Sequence, residues 1–339
     1  MSIDNPNNAA QQYINTLSEQ VAQRVFGLDQ VIRTLAMTRI AGGHALLQGP
    51  PGIGKTLLAR SFAEAIGGSF RRIQGTPDLM PADVTGISVF DSTKAAFEFR
   101  RGPVFSDVVL VDEINRAGPK TQSALLEAME ERHVTVDGST YPLPDSFLVI
   151  ATQNPLDFEG TYPLPESQVD RFLVRLDLQY TDRESEVAVL QEYGRVRGAH
   201  DGSLESLANE ATALADARLA VDAVLVERAL IEYVLDLCEA TRRSQDIDLG
   251  LSTRAARALL LMARVQACAA GFGFVRPDDV QGVIGAVASH RLTLAPEITF
   301  TGKSAAEVMR EVVAQVPVPR VEAAATAAEE SSDDAAPTP

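Results

Sequence analysis

Short hydrophobic runs separated by amphipathic segments dominate the first half of the chain. These runs predict β-strands at residues 45–48, 71–74, 108–112, 147–152 and 172–178. Most of the runs are apolar at consecutive positions, which is typical of strands buried on both faces of a sheet. Their alternation with helical segments predicts an α/β domain, with a parallel sheet flanked by helices.

From about residue 182 the apolar residues recur at helical spacing instead, with little strand signal. One helical stripe consists of Val226, Leu230, Val234 and Leu237. Ser252 is placed to cap a second helix, and Pro277 suits the first turn of a third. This half of the chain is therefore predicted to form a small all-helical domain.

The predicted domain boundaries follow these changes of pattern. Residues 1–20 form an N-terminal polar segment or helix, and residues 21–181 form the α/β domain. Residues 182–317 form the helical domain, and residues 318–339 form an acidic tail. From Glu322 onward the tail carries five acidic residues and no basic one, and it lacks large apolar side chains. We expect it to be disordered, with partner binding as the alternative.

Two further segments interrupt the α/β domain with β-type patterns. Residues 86–102 have β-rich ends around a polar middle. Residues 134–141 alternate apolar and polar positions around Asp137-Gly138, which is a strong hairpin signal. Both segments lie beside the chemical motifs described below.

Composition narrows the class of protein. The 339 residues are 45% hydrophobic and 22% charged, which excludes a disordered or collagen-like chain. The formal net charge of −16 argues against nucleic acid as a partner. Cys238 and Cys268 lie in apolar helical patterns and predict buried free thiols. With neither a signal pattern nor a long apolar run, we expect a cytoplasmic protein without membrane insertion.

The strongest chemical motif follows the first predicted strand. It comprises Gly49, Pro50, Pro51, Gly52, Ile53, Gly54, Lys55 and Thr56. It matches G-x-x-x-x-G-K-[ST] in full, and a helix-forming run begins at Leu57. Such a loop directs backbone N–H groups at phosphate oxygens, with Lys55 as a cation for the β- and γ-phosphates and Thr56 as a Mg²⁺ ligand. The motif predicts binding of a nucleoside triphosphate; a chance glycine-rich turn is the alternative.

Polar residues follow two other predicted strands. Asp112 and Glu113 end the run at residues 108–112, and ligands in open α/β sheets bind at such strand ends. We expect Asp112 to hold Mg²⁺ through water, and Glu113 to act on the attacking water as a general base or by orienting it. Asn154 ends another run and can reach a γ-phosphate. A solvated strand end and an ordinary turn residue before Pro155 are the respective alternatives.

Several longer stretches together resemble the MoxR family of AAA+ ATPases. They are GPPGIGKT, LVDEINRA, KTQSALLEAMEER, ATQNP, EGTYPLPESQVDRF and LSTRAARALL. The resemblance covers residues 25–292. It implies a P-loop AAA+ core followed by a helical lid, with ATP and Mg²⁺ as cofactors. It also implies a ring homo-oligomer, commonly a hexamer, with ATP bound between neighbouring subunits.

The resemblance implies roles for single residues of the core. Lys55 and Thr56 match the Walker A positions, Asp112 and Glu113 match Walker B, and Asn154 matches sensor 1.

Two arginines and one apolar pair complete the implied site. Arg171 matches the arginine finger that reaches ATP on the adjacent subunit, with a surface pair to Asp170 as the alternative. Arg254 matches sensor 2 and is expected to contact the nucleotide of its own subunit, with Arg257 as a second candidate. It follows a threonine where the family frequently has proline. Val25 and Phe26 fall in the family's region near the adenine, with core packing as an equal alternative.

The predicted function is therefore a ring-forming ATPase that remodels or matures a protein client at the expense of ATP. The resemblance implies a partner with a von Willebrand factor A domain, and it implies that the two β segments touch the client. A slow nucleotide-gated scaffold, a nucleic-acid motor and a chelatase subunit are the alternatives. The histidines, which are His44, His133, His200 and His290, have no metal-ligand spacing and predict surface or packing roles.

Overall fold

The computed structural model describes residues 8–154, 160–193, 204, 206–207 and 209–319. The strands are β1 (Ala45–Gln48), β2 (Phe70–Gln74), β3 (Gly86–Asp91), β4 (Ala96–Arg101), β5 (Val108–Asp112), β6 (His133–Val136), β7 (Ser139–Pro142), β8 (Leu148–Gln153), β9 (Val174–Asp177), β10 (Ile247–Leu249) and β11 (Thr293–Leu294). The helices are α1 (Asn8–Ala22), α2 (Asp29–Ile40), α3 (Lys55–Ala65), α4 (Pro81–Thr85), α5 (Pro119–Glu131), α6 (Glu166–Val169), α7 (Arg183–Tyr193), α8 (Glu210–Asp222), α9 (Arg228–Arg243), α10 (Thr253–Ala269), α11 (Pro277–Ala288), α12 (Pro296–Phe300) and α13 (Ala305–Gln315). Short 3₁₀ turns cover Pro103–Phe105, Ile114–Arg116 and Ser289–Arg291. The predicted acidic tail lies outside the described residues, apart from its first two positions.

A five-stranded parallel sheet in the order β2-β5-β8-β1-β9 forms the centre of the first half of the chain. The predicted strands are confirmed, with ends shifted by at most two residues. Because all strands run in one direction, their carboxyl ends share one edge of the sheet. We call it the carboxyl edge and the opposite one the amino edge.

Alternate residues of the strands enter two separate hydrophobic cores. Leu47 and Leu110 pack in a core that includes α1, α2 and α3 and continues into the helical half of the chain. Leu46 and Val109 pack in the other core, against α5. Successive side chains of a strand point to opposite faces. The sheet is therefore buried on both faces, which confirms the predicted α/β architecture.

The N-terminal helix α1 contributes to the larger core. It buries Ala10, Tyr13, Ile14, Leu17 and Val21, a stripe at helical spacing. The helix packs against α2 and α3 and also against α8 and α10 of the helical half. Residues 1–20 were predicted as a polar segment or helix, and the helix is what most of this stretch forms, but the apolar stripe was not identified from the sequence.

The second half of the chain is helical, as predicted. Leu230, Val234 and Leu237 are buried on α9, whereas Val226 precedes that helix. The Ser252 hydroxyl caps α10 by accepting a hydrogen bond from the Ala255 N–H at 3.1 Å. Pro277 is the first residue of α11. An antiparallel pair, β10 and β11, adds to this region. With three and two residues respectively, these strands are too short to give a sequence pattern.

Both interrupting segments form antiparallel hairpins. β3 pairs with β4, placing Gly86 opposite Arg101, and β6 pairs with β7. Asp137 and Gly138 both have positive φ, at 50° and 78°, as a two-residue hairpin turn of type I′ requires. The hairpin at residues 134–141 is confirmed.

Cys238 and Cys268 are buried and free, as predicted. Burial raises the pKa of Cys238 to about 11, so the thiol stays protonated. Within the part of the chain that the structure describes, none of the helices has the length and apolar character needed to cross a bilayer.

Candidate active site

The loop between β1 and α3 has the geometry of a phosphate cradle. Gly52 and Gly54 have φ of 82° and 91°, in the left-handed region that residues with a Cβ rarely adopt. Gly54 is also the N-cap of α3 and has no side chain to cap the helix. The first N–H groups of α3 therefore remain available to an anion, which the helix dipole also attracts.

The candidate cation of this loop is folded across it. Lys55 Nζ donates a hydrogen bond to the carbonyl oxygen of Gly49 at 2.8 Å. Thr56 follows on the first turn of α3 and is half-buried, while Ile53 and Leu57 pack against the larger core. The motif is thus anchored by apolar residues, with its polar groups facing the carboxyl edge.

Asp112 ends β5 at the same carboxyl edge. Its Oδ1 accepts a hydrogen bond from Thr152 Oγ1 at 2.6 Å. Its Oδ2 accepts one from Arg72 Nη2 at 2.7 Å. The Asp112 side chain is only 14% exposed, so these two partners fix the carboxylate.

Glu113 follows with a φ of 54°, which turns the backbone at the end of β5. Its N–H donates to Thr152 Oγ1 at 2.9 Å. Its Oε2 accepts from Gln74 Nε2 at 3.0 Å and from Arg116 Nη1 at 3.3 Å. The hydroxyl of Thr152 therefore joins the two acidic residues, through the side chain of one and the backbone of the other.

Arg72, Gln74 and Thr152 belong to none of the sequence motifs and were predicted only as strand residues. The pairing of neighbouring strand ends is the signal that could have placed these residues in the site. Gln74 lies opposite Asp112, and β8 runs beside β5 up to the residue before Thr152.

Asn154 directly follows β8, which lies between β5 and β1 in the sheet. This order places Asn154 at the carboxyl edge, between the phosphate cradle and the two acidic residues. The sheet therefore brings together Lys55, Thr56, Asp112, Glu113 and Asn154. The segment at residues 155–159, which follows Asn154, lies outside the described residues.

Arg171 and Arg254 lie at the amino edge instead. Arg171 precedes β9, whose Val174 pairs with Ala45 at the start of β1. Its Nε lies 3.0 Å from Glu130 Oε2, so Glu130 and not Asp170 is its partner. Arg254 pairs with Glu130 as well, and its Nη1 lies 3.8 Å from Asp170 Oδ2.

Arg254, which we expected to contact the nucleotide of its own subunit, lies at the opposite edge of the sheet from the phosphate cradle of its own chain. The helical region docks so that the start of α10 meets the end of α5, next to Arg171. Sequence spacing carries no information about this docking, which depends on contacts between distant segments. Arg254 and Arg171 consequently form one arginine pair across Glu130.

A cavity of about 630 Å³ opens beside this pair. Its charged lining residues are Arg132, Arg171, Arg254, Arg257, Arg264, Arg291, Glu130 and Asp170. Six arginines against two acidic residues give this wall an excess of positive charge. Arg257, the second sensor candidate, lies in the same wall. The cavity suits an anion presented from outside the chain.

The segment at Val25 and Phe26, which we expected near the adenine base, is only partly accessible to a ligand. Val25 is 4% exposed and belongs to the larger core, which matches the packing alternative. Phe26 is half-buried. At Gly27 a Cβ would come within 2.8 Å of Thr181 and Ser185, so this segment packs against the start of α7.

The described histidines fit packing roles. His44 accepts a hydrogen bond from the Val149 N–H at 3.0 Å, and burial lowers its pKa to about 3. Burial also holds the pKa of His290 well below its usual value. His200 lies outside the described residues. In the described ranges, no group of three or more His, Cys, Asp and Glu side chains gathers as a metal cluster.

Comparison with known proteins identifies the class. Residues 44–174 match the ATPase family associated with various cellular activities (AAA), and residues 239–312 match an AAA lid domain. A crystal structure of a protein assigned as an ATPase from Cytophaga hutchinsonii is similar, with a TM-score of 0.84 and 35% sequence identity. The match covers 94% of this chain and 98% of that one. The fold and the site define an AAA+ ATPase.

Sequence identity to individual proteins shows which family of AAA+ ATPases the chain belongs to. The chain is 42% identical to the uncharacterised protein YeaC of Bacillus subtilis, over 83% of this chain and 87% of that protein. It is 37% identical to Chaperone MoxR1 of Mycobacterium tuberculosis, over 90% and 82%. It is 30% identical to Protein MoxR of Methylorubrum extorquens, over 88% and 93%. The chain belongs to the MoxR family of AAA+ ATPases, and it is an ATP hydrolase.

Proposed function

We propose that this ATPase works as a ring in which ATP is bound and hydrolysed between neighbouring copies of the chain. The observation that carries the proposal is the separation of the phosphate cradle from the arginine pair. β1 alone has four residues and spans about 13 Å between the two edges of the sheet. One chain cannot bring Arg171 to a triphosphate in its own cradle, whereas a head-to-tail contact between copies can.

In this arrangement the cradle holds the triphosphate of ATP. The backbone N–H groups from Gly52 to Thr56 and the first turn of α3 surround the phosphates. Lys55 exchanges its bond to the Gly49 carbonyl for oxygens of the β- and γ-phosphates, where its point charge is most useful. Val25 and Phe26 lie in the segment that serves the base.

The donor set of the carboxyl edge fits Mg²⁺, which prefers oxygen ligands and keeps several waters. The Thr56 hydroxyl would hold the ion directly, and Asp112 would hold it through water. When bound, the ion neutralises charge on the β- and γ-phosphates. Thr152 fixes Asp112 for this task by donating a hydrogen bond to its Oδ1 at 2.6 Å.

The remaining groups serve in-line attack of water on the γ-phosphate. Glu113 orients that water and accepts its proton. The Asn154 amide contacts the γ-phosphate or the water from the neighbouring strand. Lys55 and Arg171 of the adjacent copy offset the negative charge of the transition state.

Arg254 acts with Arg171 on the adjacent copy's nucleotide. The two side chains share Glu130, so a surface that reaches one of them reaches the other. A guanidinium suits the contact, because it is always charged and can form two parallel bonds to phosphate oxygens.

The ring acts on a protein client, and the β3–β4 hairpin contacts it. The hairpin exposes Phe90 and Phe97 by 55% and 74%, with the two rings 5.3 Å apart in an edge-to-face arrangement. An exposed aromatic pair of this kind suits contact with apolar protein segments. One relative is named a chaperone, which agrees with this role. A von Willebrand factor A domain partner and a hexameric ring remain expectations from the resemblance, and a cytoplasmic location remains an expectation from the sequence pattern.

A mixing experiment tests the shared site. Arg171→Ala and Lys55→Ala are each expected to lower turnover by about 10³–10⁵, because each removes charge that stabilises the transition state. In an equal mixture, about a quarter of the interfaces pair an intact cradle with an intact Arg171, so about that share of turnover should return.

The matched control is Arg243→Ala, which removes an arginine that is 79% exposed on α9 and should leave turnover unchanged. Light scattering measures the mass of each assembly and therefore the number of subunits in the ring. Mixtures that stay inactive while the rings remain intact would contradict a site shared between copies.

A further inference from the structure

Arg72 occupies a position that none of the sequence motifs explains. Its side chain is 49% exposed and extends from β2 to Asp112, where Nη2 lies 2.7 Å from Oδ2. The same Nη2 donates to Gln74 Oε1 at 2.9 Å. A guanidinium thus lies on the carboxylate that serves Mg²⁺ in the proposed function.

The register of the sheet produces this contact. Gln74 lies opposite Asp112, and Arg72 lies opposite Leu110, two residues earlier. Arg72 and Gln74 share one face of β2, because successive side chains alternate. Arg71 and Ile73 share the other face, where Ile73 is buried in the smaller core. Only a long side chain can reach Asp112 from the position of Arg72.

We propose that Arg72 is a built-in counter-cation for Asp112, which competes with Mg²⁺ and leaves the carboxylate when the metal binds. The inference rests on the proposed function, since it needs a metal–nucleotide complex in the cradle. A half-exposed ion pair is weak and is readily exchanged. Mg²⁺ carries twice the charge of the guanidinium and is anchored in addition by phosphate oxygens and Thr56.

The exchange also affects Glu113. Arg72 holds the amide oxygen of Gln74, and the amide nitrogen of Gln74 donates to Glu113 Oε2 at 3.0 Å. When Arg72 leaves Asp112, Gln74 loses the bond that orients it and holds Glu113 less firmly. Arg72 is therefore a positioning residue, through which metal binding frees the group that orients the attacking water.

The test measures metal affinity without turnover. Mn²⁺, which is detectable by electron paramagnetic resonance, replaces Mg²⁺, and a non-hydrolysable ATP analogue fills the cradle. Arg72→Gln removes the competing cation and is expected to tighten Mn²⁺ binding about three- to tenfold. Unchanged or weaker Mn²⁺ binding in Arg72→Gln would overturn the proposal.

Two matched variants separate the local effect from net charge. Arg71→Gln makes the same charge change on the opposite face of β2 and is expected to stay within about twofold of the wild type. Arg72→Lys keeps a cation and is expected to bind Mn²⁺ more weakly than Arg72→Gln. Equal tightening in Arg71→Gln, or equal affinity of Arg72→Lys and Arg72→Gln, would overturn the proposal.

A wild-type measurement distinguishes the two levels of the argument. Mn²⁺ bound with the nucleotide should be lost in Asp112→Asn. Failure to find such a site in the wild type would refute the proposed metal–nucleotide site itself. A site that is present in the wild type and insensitive to Arg72→Gln would refute only the role of Arg72.

Discussion

Removing the carboxylate of Glu210 should destabilise the protein by about 3–5 kcal/mol, because it leaves a buried guanidinium without its counter-charge. Glu210 on α8 accepts hydrogen bonds from Arg39 Nη2 at 2.7 Å and from Tyr13 Oη at 2.7 Å. Arg39 Nε also donates to Tyr13 Oη at 2.8 Å. The side chains of Arg39 and Glu210 are 2% and 12% exposed. The network joins α1, α2 and α8.

The expected magnitudes follow from these contacts. Glu210→Gln keeps the size of the side chain and removes its charge, so it isolates the electrostatic loss. Tyr13→Phe removes a hydroxyl shared by two charged groups, but Arg39 and Glu210 remain paired directly. We therefore expect about 2 kcal/mol for Tyr13→Phe, within the range for hydrogen bonds to charged groups.

Urea unfolding followed by circular dichroism, at one protein concentration, measures both losses. The matched control is Tyr233→Phe, because the buried Tyr233 hydroxyl accepts a hydrogen bond from the neutral Gln281 Nε2 at 3.0 Å. That variant should lose about 1 kcal/mol. If Glu210→Gln costs no more than Tyr233→Phe, the buried pair does not stabilise the fold and the reasoning is refuted.

Three further predictions concern the site, the pH dependence of stability and the client. Glu113→Gln should still bind ATP but lose turnover by at least about 10²-fold, since it cannot accept the proton of the attacking water; unchanged phosphate release would exclude this role. The lowered pKa of His44 means that the unfolded chain takes up a proton below about pH 6.5 and the folded chain does not, so this residue should lower stability as pH falls, with a slope that approaches about 1.4 kcal/mol per pH unit near pH 5. The lowered pKa of His290 adds to the slope in the same direction. His44→Gln should reduce the total slope in urea titrations by the His44 share, and an unaltered slope would contradict it. Phe97→Ser should weaken client capture by pull-down while basal ATPase activity stays unchanged; equal capture would count against the hairpin.

Local signals were sufficient to predict the frame of the site. The strands at residues 45–48 and 108–112 are apolar at consecutive positions, and each is followed by its own polar motif. A buried strand and the loop after it depend on residues adjacent in sequence, so their pattern is readable without the fold. The parallel order of the sheet then brought Lys55, Asp112 and Asn154 to one edge, as expected for strand ends.

Contacts that depend on register and docking were not readable in the same way. Arg72 reaches Asp112 only because β2 pairs with β5 in a register that puts Gln74 opposite Asp112. Arg254 meets Glu130 only because the helical region docks against the end of α5. Both contacts join residues far apart in the chain, at residue separations of 40 and 124. Helical periodicity and strand patterns contain no information on such pairings.

Three cationic side chains at the carboxyl and amino edges of the sheet are paired with groups of their own chain, and this affects how tightly ATP binds. Lys55 is bonded to the Gly49 carbonyl, Arg72 to Asp112, and Arg171 is paired with Glu130. Phosphate or metal must replace each of these partners, so the attraction between ATP and its cations is offset by contacts that are lost. The partner of Arg171 lies on the chain that donates the arginine, not on the chain that holds the cradle. ATP and Glu130 therefore compete for the Arg171 guanidinium, and ATP can reach it only when the interface has formed. Formation of the interface and binding of ATP should each strengthen the other.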